Sequence, residues 1–243
     1  MAKLPRGYKR RVFKLLRERL PRKAKVLLLS FTGGRAFGWG SERHDVDVRG
    51  VILIDKPYWD FAHIGKEHVD LMVETLEHLG MQIYYRHWTV FENMSNPFYI
   101  HSAFDFEKFM SFCGADCVKN HLTSIESEIL RFKYVHRSPR AGLHCYRLVM
   151  VPLYYLDTGK IEIDCVKLNR EVFHFEEFDK MVEAYKYDRQ VKIDYDRAIR
   201  DYEKLLGEIK DRVKDVGREL DNDKLVRWIN ETIKKLSQEK EKQ

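Results

Sequence analysis

The sequence predicts an α+β protein: a strand-and-helix module over residues 1–103, then an all-helical part over residues 104–243. Three observations predict it. Short apolar or alternating runs at 25–32, 45–54 and 67–78 have the length and two-residue period of strands. From Gly80 the apolar residues recur every three or four positions, the spacing of one helix face. Beyond about residue 104 the patterned stretches keep that helical spacing.

The elements follow in order. Residues 7–20 read as an amphipathic helix stopped near Pro21, where the ring removes a donor and blocks the next turn. Residues 25–32, KVLLLSFT, are apolar almost throughout, as in a strand buried on both faces. A loop with glycines at 33, 34, 38 and 40 leads to a second strand at 45–54, DVDVRGVILI. In 67–78, EHVDLMVETLEH, alternation places Val69, Leu71, Val73, Thr75 and Glu77 on one face. Met81, Tyr84, Trp88 and Phe91 mark a helix ending at Ser95-Asn96-Pro97, since a residue before proline avoids helical backbone. Helical patterns at 139–157, 190–217 and 221–240 complete the chain. The first runs into a Thr158-Gly159 stop. The last has acids at its start and lysines at its end, in line with the helix dipole. Charged residues 238–243 are expected to fray.

Composition narrows the class. With 44% hydrophobic and 34% charged residues, the chain is expected to be a soluble globular protein. No apolar run approaches the roughly 20 residues that cross a bilayer, and the N-terminus lacks the apolar stretch of a secretory signal. No membrane association and a cytoplasmic location are therefore expected. Of the four cysteines, only Cys113 and Cys117 are close, and not at zinc-ribbon spacing, so reduced structural thiols are expected. No Walker phosphate loop and no G-x-S-x-G elbow occurs.

Charge is uneven. Residues 1–25 hold eleven Lys and Arg against Glu18 alone, a net +10, while the remainder is acidic overall. A basic helix attracts a phosphate backbone, so RNA or DNA contact is one expectation for this segment. A solvated helix docked through Val12, Phe13, Leu15, Leu16 and Leu20 is the other, and both hold together. The aromatic set from Tyr84 to Phe106 reads first as core and second as a surface for stacking bases.

The stretch that carries chemistry is Gly33-Gly34-Arg35-Ala36-Phe37-Gly38, followed by Asp45-Val46-Asp47-Val48-Arg49-Gly50. Phosphoryl transfer needs main-chain N–H groups close to phosphate, which glycines permit. It also needs carboxylate oxygens, the donors magnesium prefers, and two metals roughly 4 Å apart steady the attacking and leaving oxygens. Asp45 and Asp47 are two apart on a strand and so share a face. A third carboxylate from a neighbouring strand completes such a site. Glu77 is the first choice, Glu74 the second because its face is opposite, and Asp70, on the Glu74 face, the third.

These residues resemble the polymerase-beta-like nucleotidyltransferase superfamily. They are most similar to its predicted-nucleotidyltransferase group, whose pattern reads G-S-R-x-x-G, then S-D-x-D-x-R-G-V. Gly33, Arg35, Gly38, Asp45, Asp47, Arg49, Gly50 and Val51 stand in that order, with Gly34 and His44 where the pattern has serines. Glu77, Asn96-Pro97, Lys133, His144, Arg147 and Thr158-Gly159 follow in the group's order, so the resemblance covers roughly residues 25–165. It implies a small mixed sheet flanked by helices. It also implies magnesium- or manganese-dependent transfer of a nucleoside monophosphate from a nucleoside triphosphate to an acceptor hydroxyl. Asp45, Asp47 and Glu77 would hold metal. Gly33, Gly34, Arg35, Arg49, Lys133, His144 and Arg147 would bind the nucleotide. For Arg49 an ion pair within its own strand region is an equal alternative, and for His144 a hydrogen-bonded core position is the alternative. A fold that has lost turnover and binds nucleic acid is the competing function. Another is an interaction protein of the toxin–antitoxin kind, with the C-terminal helices as docking or oligomer surface.

Overall fold

The run Lys25–Thr32 forms β1 of a five-stranded sheet in the computed structural model, which describes residues 3–54, 59–64 and 68–241. The other strands are β2 (Val46–Leu53), β3 (Trp59–Ile64), β4 (Val69–Thr75) and β5 (Pro97–Ile100), in the order β3-β4-β2-β1-β5. β2 and β4 run parallel, and the other three pairings are antiparallel, so the sheet is mixed. β1, paired on both sides, is buried from Leu27 to Thr32, whereas β2 alternates, with Asp47 and Arg49 only half-buried. β5 opens with Pro97, which an edge strand tolerates because its missing N–H breaks no inner ladder.

The chain divides into two compact units. One comprises Lys3–Gly33, Asp45–Gly114 and Glu219–Gln243, and the other comprises Gly34–His44 and Ala115–Arg218. The expected cut at residue 103 does not coincide with them.

In the first unit, α1 (Tyr8–Arg19) buries Val12, Leu15 and Leu16, and Phe13 meets Tyr99 of β5 edge to face at 5.2 Å. The single turn α2 (Gly33–Ala36) starts where β1 ends. The pattern at 67–78 is strand only to Thr75, and residue 67 lies outside the described residues. Thr75 then caps a helix, its hydroxyl accepting from the His78 N–H at 3.2 Å, so Leu76–Tyr84 is α3. The helix expected from Gly80 to residue 95 is therefore two. Arg86, at φ 58°, breaks the chain before α4 (Trp88–Met94) and donates to the Phe112 carbonyl at 2.6 Å. A short α5 (Phe106–Met110) follows. α11 (Asn222–Glu241) belongs to this unit because Trp228, 3% exposed, packs on Phe104, Phe109 and Phe112 at 5.4–6.2 Å. Lys25 Nζ donates to the Leu236 carbonyl at 3.1 Å, tying the start of β1 to that helix.

The second unit is helical: α6 (Ala115–Tyr134), α7 (Pro139–Thr158), α8 (Cys165–Leu168), a π-helical turn at Asn169–Phe173, α9 (Glu176–Tyr187) and α10 (Tyr195–Val213). α7 is its centre, with an unbroken buried run from Cys145 to Leu153. Tyr202 of α10 meets Tyr146 edge-on at 4.5 Å and donates to the Gly142 carbonyl at 3.1 Å. No disulfide joins any of the four cysteines. Among the described residues, no helix is long and apolar enough to cross a membrane.

Removing the indole that joins α11 to the sheet unit tests this division. Trp228→Ala is expected to lower the unfolding free energy by about 3–5 kcal/mol, read from the urea midpoint at unchanged slope.

Candidate active site

The pairing of β2 with β4 decides which acids meet. Their parallel register sets Asp47 opposite Asp70, Arg49 opposite Met72 and Val51 opposite Glu74. Directly paired residues of neighbouring strands project from the same face, so Asp47, Arg49, Asp70 and Glu74 share one side of the sheet. On the other side Val46, Val48, Val69, Leu71 and Val73 are buried. The antiparallel partner β1 adds Thr32 opposite Asp47 and Ser30 opposite Arg49. Thr32 donates to Asn93 Oδ1 of α4 at 3.1 Å, which anchors that helix over the polar face.

Asp45 precedes β2 by one residue. Its Oδ1 lies 3.4 Å from Nδ1 of His68, whose backbone carbonyl accepts from the Val46 N–H at 2.8 Å. Gly33 closes the same end of the sheet. Its φ is +74°, and a Cβ there would sit 1.8 Å from Asp47 Oδ2. Only a residue without a side chain admits this backbone shape and leaves the main chain bare against the carboxylate.

Arg49 lies among the acids. Burial lowers its guanidinium from the ordinary arginine value, while the charges of Asp47, Glu74 and Asp70 hold it up. It donates to the Met72 sulfur, and its Nε has no hydrogen-bond partner among the described residues. Glu74 is 3% exposed and lies 2.8 Å from His78 Nδ1, with the Gln82 amide as a second partner. Burial pushes its carboxyl up to about 7, against the opposing pull of His78 and Arg49. Among the described residues, no group of three His, Cys, Asp or Glu side chains is placed so that it could hold a metal ion. Asp47 and Asp70 face each other across the β2–β4 pair and carry the oxygen donor type a hard divalent cation takes.

Glu77 does not join this group. It is exposed in the first turn of α3, beyond the end of β4. Thr75 is five strand residues past Asp70, roughly 16 Å along the sheet at about 3.3 Å per residue. The error has a physical cause: Val69, Leu71 and Val73 form the apolar side of β4, and apolar sides face the core. The side of β4 that shares a face with Asp47 carries Asp70 and Glu74. That signal was present in the alternation, but only the strand register shows that Asp70 stands beside Asp47.

The remaining expected residues belong to the helical unit. Its loop Gly34–His44 packs there through Trp39, which meets Phe37 at 5.2 Å and Phe178 at 6.3 Å. Gly38, at φ +92°, lies so close to Asp164 and Val166 that a Cβ would approach them to 2.7 and 2.9 Å. Gly34 faces the Trp39 indole, and a Cβ there would be 3.2 Å from Nε1. Arg35 donates to the His44 carbonyl at 3.3 Å. Arg147 stacks on Phe37 at 4.8 Å, and its Nη2 lies 3.4 Å from His144 Nδ1. Burial, aided by Arg147, His121, Arg140 and Arg131, pushes the His144 imidazole down to about 3, so it is neutral at pH 7. Lys133 is on the seam of α6 and α10, 2.8 Å from Glu203. The structure thus brings Gly33, Asp45, Asp47 and Arg49 together in one unit, and Gly34, Arg35, His144 and Arg147 into the other.

Glu74 gives a pH prediction. Its folded pKa is raised, so the folded protein binds more protons than the unfolded chain between about 4.5 and 7. Its contribution is most favourable below about 4.5 and is lost as pH rises through 7. The stability of Glu74→Gln relative to wild type is expected to improve by about 1–3 kcal/mol between pH 5 and pH 8. Denaturation midpoints across that range check it, and a flat difference would count against the buried carboxyl.

No protein-family model matches the chain, and no curated protein matches it. Among solved structures, the chain is similar to a nucleotidyltransferase-like protein from Exiguobacterium sibiricum 255-15. The identity is 12%, over 88% of this chain and 81% of that chain, and the TM-score is 0.31. At that score the likeness bears no weight for fold or function, which rest on the geometry above.

Proposed function

We propose that the chain is a nucleotidyltransferase that moves a nucleoside monophosphate from a nucleoside triphosphate to an acceptor hydroxyl. The observation that carries this reading is the acidic end of the β2–β4 pair. Asp47 stands opposite Asp70 there, Asp45 precedes Asp47 by two residues, and the bare main chain of Gly33 lies on Asp47. The D-x-D-x-R-G-V segment that resembles the superfamily supports it.

In the reaction, the acceptor oxygen attacks the α-phosphorus. The bond to the bridging oxygen breaks, and pyrophosphate leaves with the electron pair. The hydroxyl proton passes to a carboxylate, for which Asp70 replaces Glu77. Asp47 and Asp70 are the carboxylates that would meet Mg²⁺ or Mn²⁺, which when bound supplies positive charge to the phosphate oxygens. Gly33 admits phosphate to its N–H, and Arg49 offsets charge on the same face. In the helical unit, Arg147, with neutral His144 beside it, and Arg35 are the residues that the resemblance assigns to the nucleotide. Lys133 is assigned to the α6–α10 seam.

A second reading rests on one observation: Arg49 already stands as a cation among Asp47, Asp70 and Glu74. A chain that keeps this internal ion cluster in place of a metal would bind partners without turnover. Incubation with Mg²⁺ and each of the four α-labelled triphosphates, with RNA, protein and small-molecule acceptors, separates the two. Label transfer with pyrophosphate release is expected, falling by about 10²–10⁴-fold in Asp47→Asn and in Asp70→Asn and staying within about twofold in Glu77→Gln. No triphosphate binding and no pyrophosphate from the wild type would leave only the second reading.

A further inference from the structure

The charge excess of the chain is concentrated on the solvent side of α1. Arg10, Lys14 and Arg17 are spaced four and three residues apart, one stripe of the helix, with their side chains exposed. The opposite stripe is docked, with Val12 0% and Leu16 2% exposed. Arg22 and Lys23, both exposed, continue the basic surface into the turn after the helix. The sole acid of α1 is Glu18, 3.9 Å from Lys14. Arg10, Arg17, Arg22 and Lys23 make no ion pair among the described residues.

This arrangement works against the helix itself. The first turn holds no acid, and Lys9, Arg10 and Arg11 crowd the end where the dipole is positive. Arg10 and Lys14 are like charges at i and i+4, which is also unfavourable. A surface helix needed only for packing has no reason to keep such a pattern, whereas a polyanion laid along it would relieve each of these repulsions. Lipid is a poor fit for that polyanion. An interfacial helix must offer apolar side chains to the bilayer, and no large apolar side chain between residues 3 and 25 is exposed. A phosphodiester chain asks only for a row of cations.

We infer that the exposed stripe Arg10–Lys14–Arg17, continued by Arg22 and Lys23, is a binding face for the phosphate backbone of a nucleic acid. The inference does not depend on nucleotidyl transfer, and binding is expected to persist in Asp47→Asn. The test is fluorescence anisotropy of the full chain with labelled single-stranded RNA, single-stranded DNA and duplex DNA over a potassium chloride series. The wild type is expected to bind at least one, with a negative slope of log affinity against log salt. The triple variant Arg10→Gln, Lys14→Gln, Arg17→Gln is expected to reduce that slope by about 2–3 and to weaken binding at about 50 mM salt by tenfold or more. The double variant Arg10→Lys, Arg17→Lys, which keeps the charge, is expected to retain the slope, and circular dichroism checks that both variants remain folded. Which of the three probes binds most tightly identifies the nucleic acid. The inference is overturned if the wild type binds none of them or if the folded triple variant keeps the wild-type slope. It is equally overturned if the protein sediments with phosphatidylserine vesicles while ignoring nucleic acids.

Discussion

The parallel pairing of β2 with β4 is the constraint on which the candidate site depends. Asp47 and Asp70 are 23 residues apart in the chain and become neighbours only because this ladder sets them opposite each other. A slip of one residue would turn every β4 side chain to the other face. Val69, Leu71 and Val73 would then face the polar side, and the acids would enter the core. The register is therefore held by burial of the apolar side, and the acidic side inherits its geometry from that burial.

The same face has to manage like charges. Asp47, Asp70 and Glu74 lie near one another, and Glu74 is almost fully buried. Two devices make this tolerable. Arg49 supplies positive charge from within the sheet, and Glu74 has a raised proton affinity with His78 and Gln82 as partners. A buried carboxyl with hydrogen-bond partners on the first turns of α3 ties the end of β4 to that helix. The charge balance of this face is set by protein groups first: a bound cation would compete with Arg49 for the carboxylates, and a bound phosphate would compete with the carboxylates for Arg49.

The sheet unit shows a second division of labour. One side of α1 is indistinguishable from core, and the other is almost purely cationic. Docking through Val12, Leu15 and Leu16 holds the helix in place without favourable local electrostatics, and this frees the outer stripe to carry a charge pattern an isolated helix would resist. Likewise α11, far along the chain, completes the unit by placing Trp228 among Phe104, Phe109 and Phe112. The cut expected at residue 103 separates groups that pack as one.

From the sequence alone, the local features were legible: the strands at β1 and β2, the docked face and basic excess of α1, and the long helices. Each follows from period, charge or the stereochemistry of glycine and proline, which act within a few residues. The edge strands β3 and β5 were not legible: β5 has four residues, too few to display a period, and in β3, WDFAHI, neither alternate set is uniformly apolar. The switch from strand to helix at Thr75 was hidden for another reason. A capping hydroxyl reads as one more residue of the alternation until the His78 N–H is seen to meet it. Glu77 was chosen over Asp70 because the period names two faces of a strand without saying which faces the core or what stands on the neighbouring strand. Those two facts are long-range, set by burial and register, and only the tertiary structure decided them.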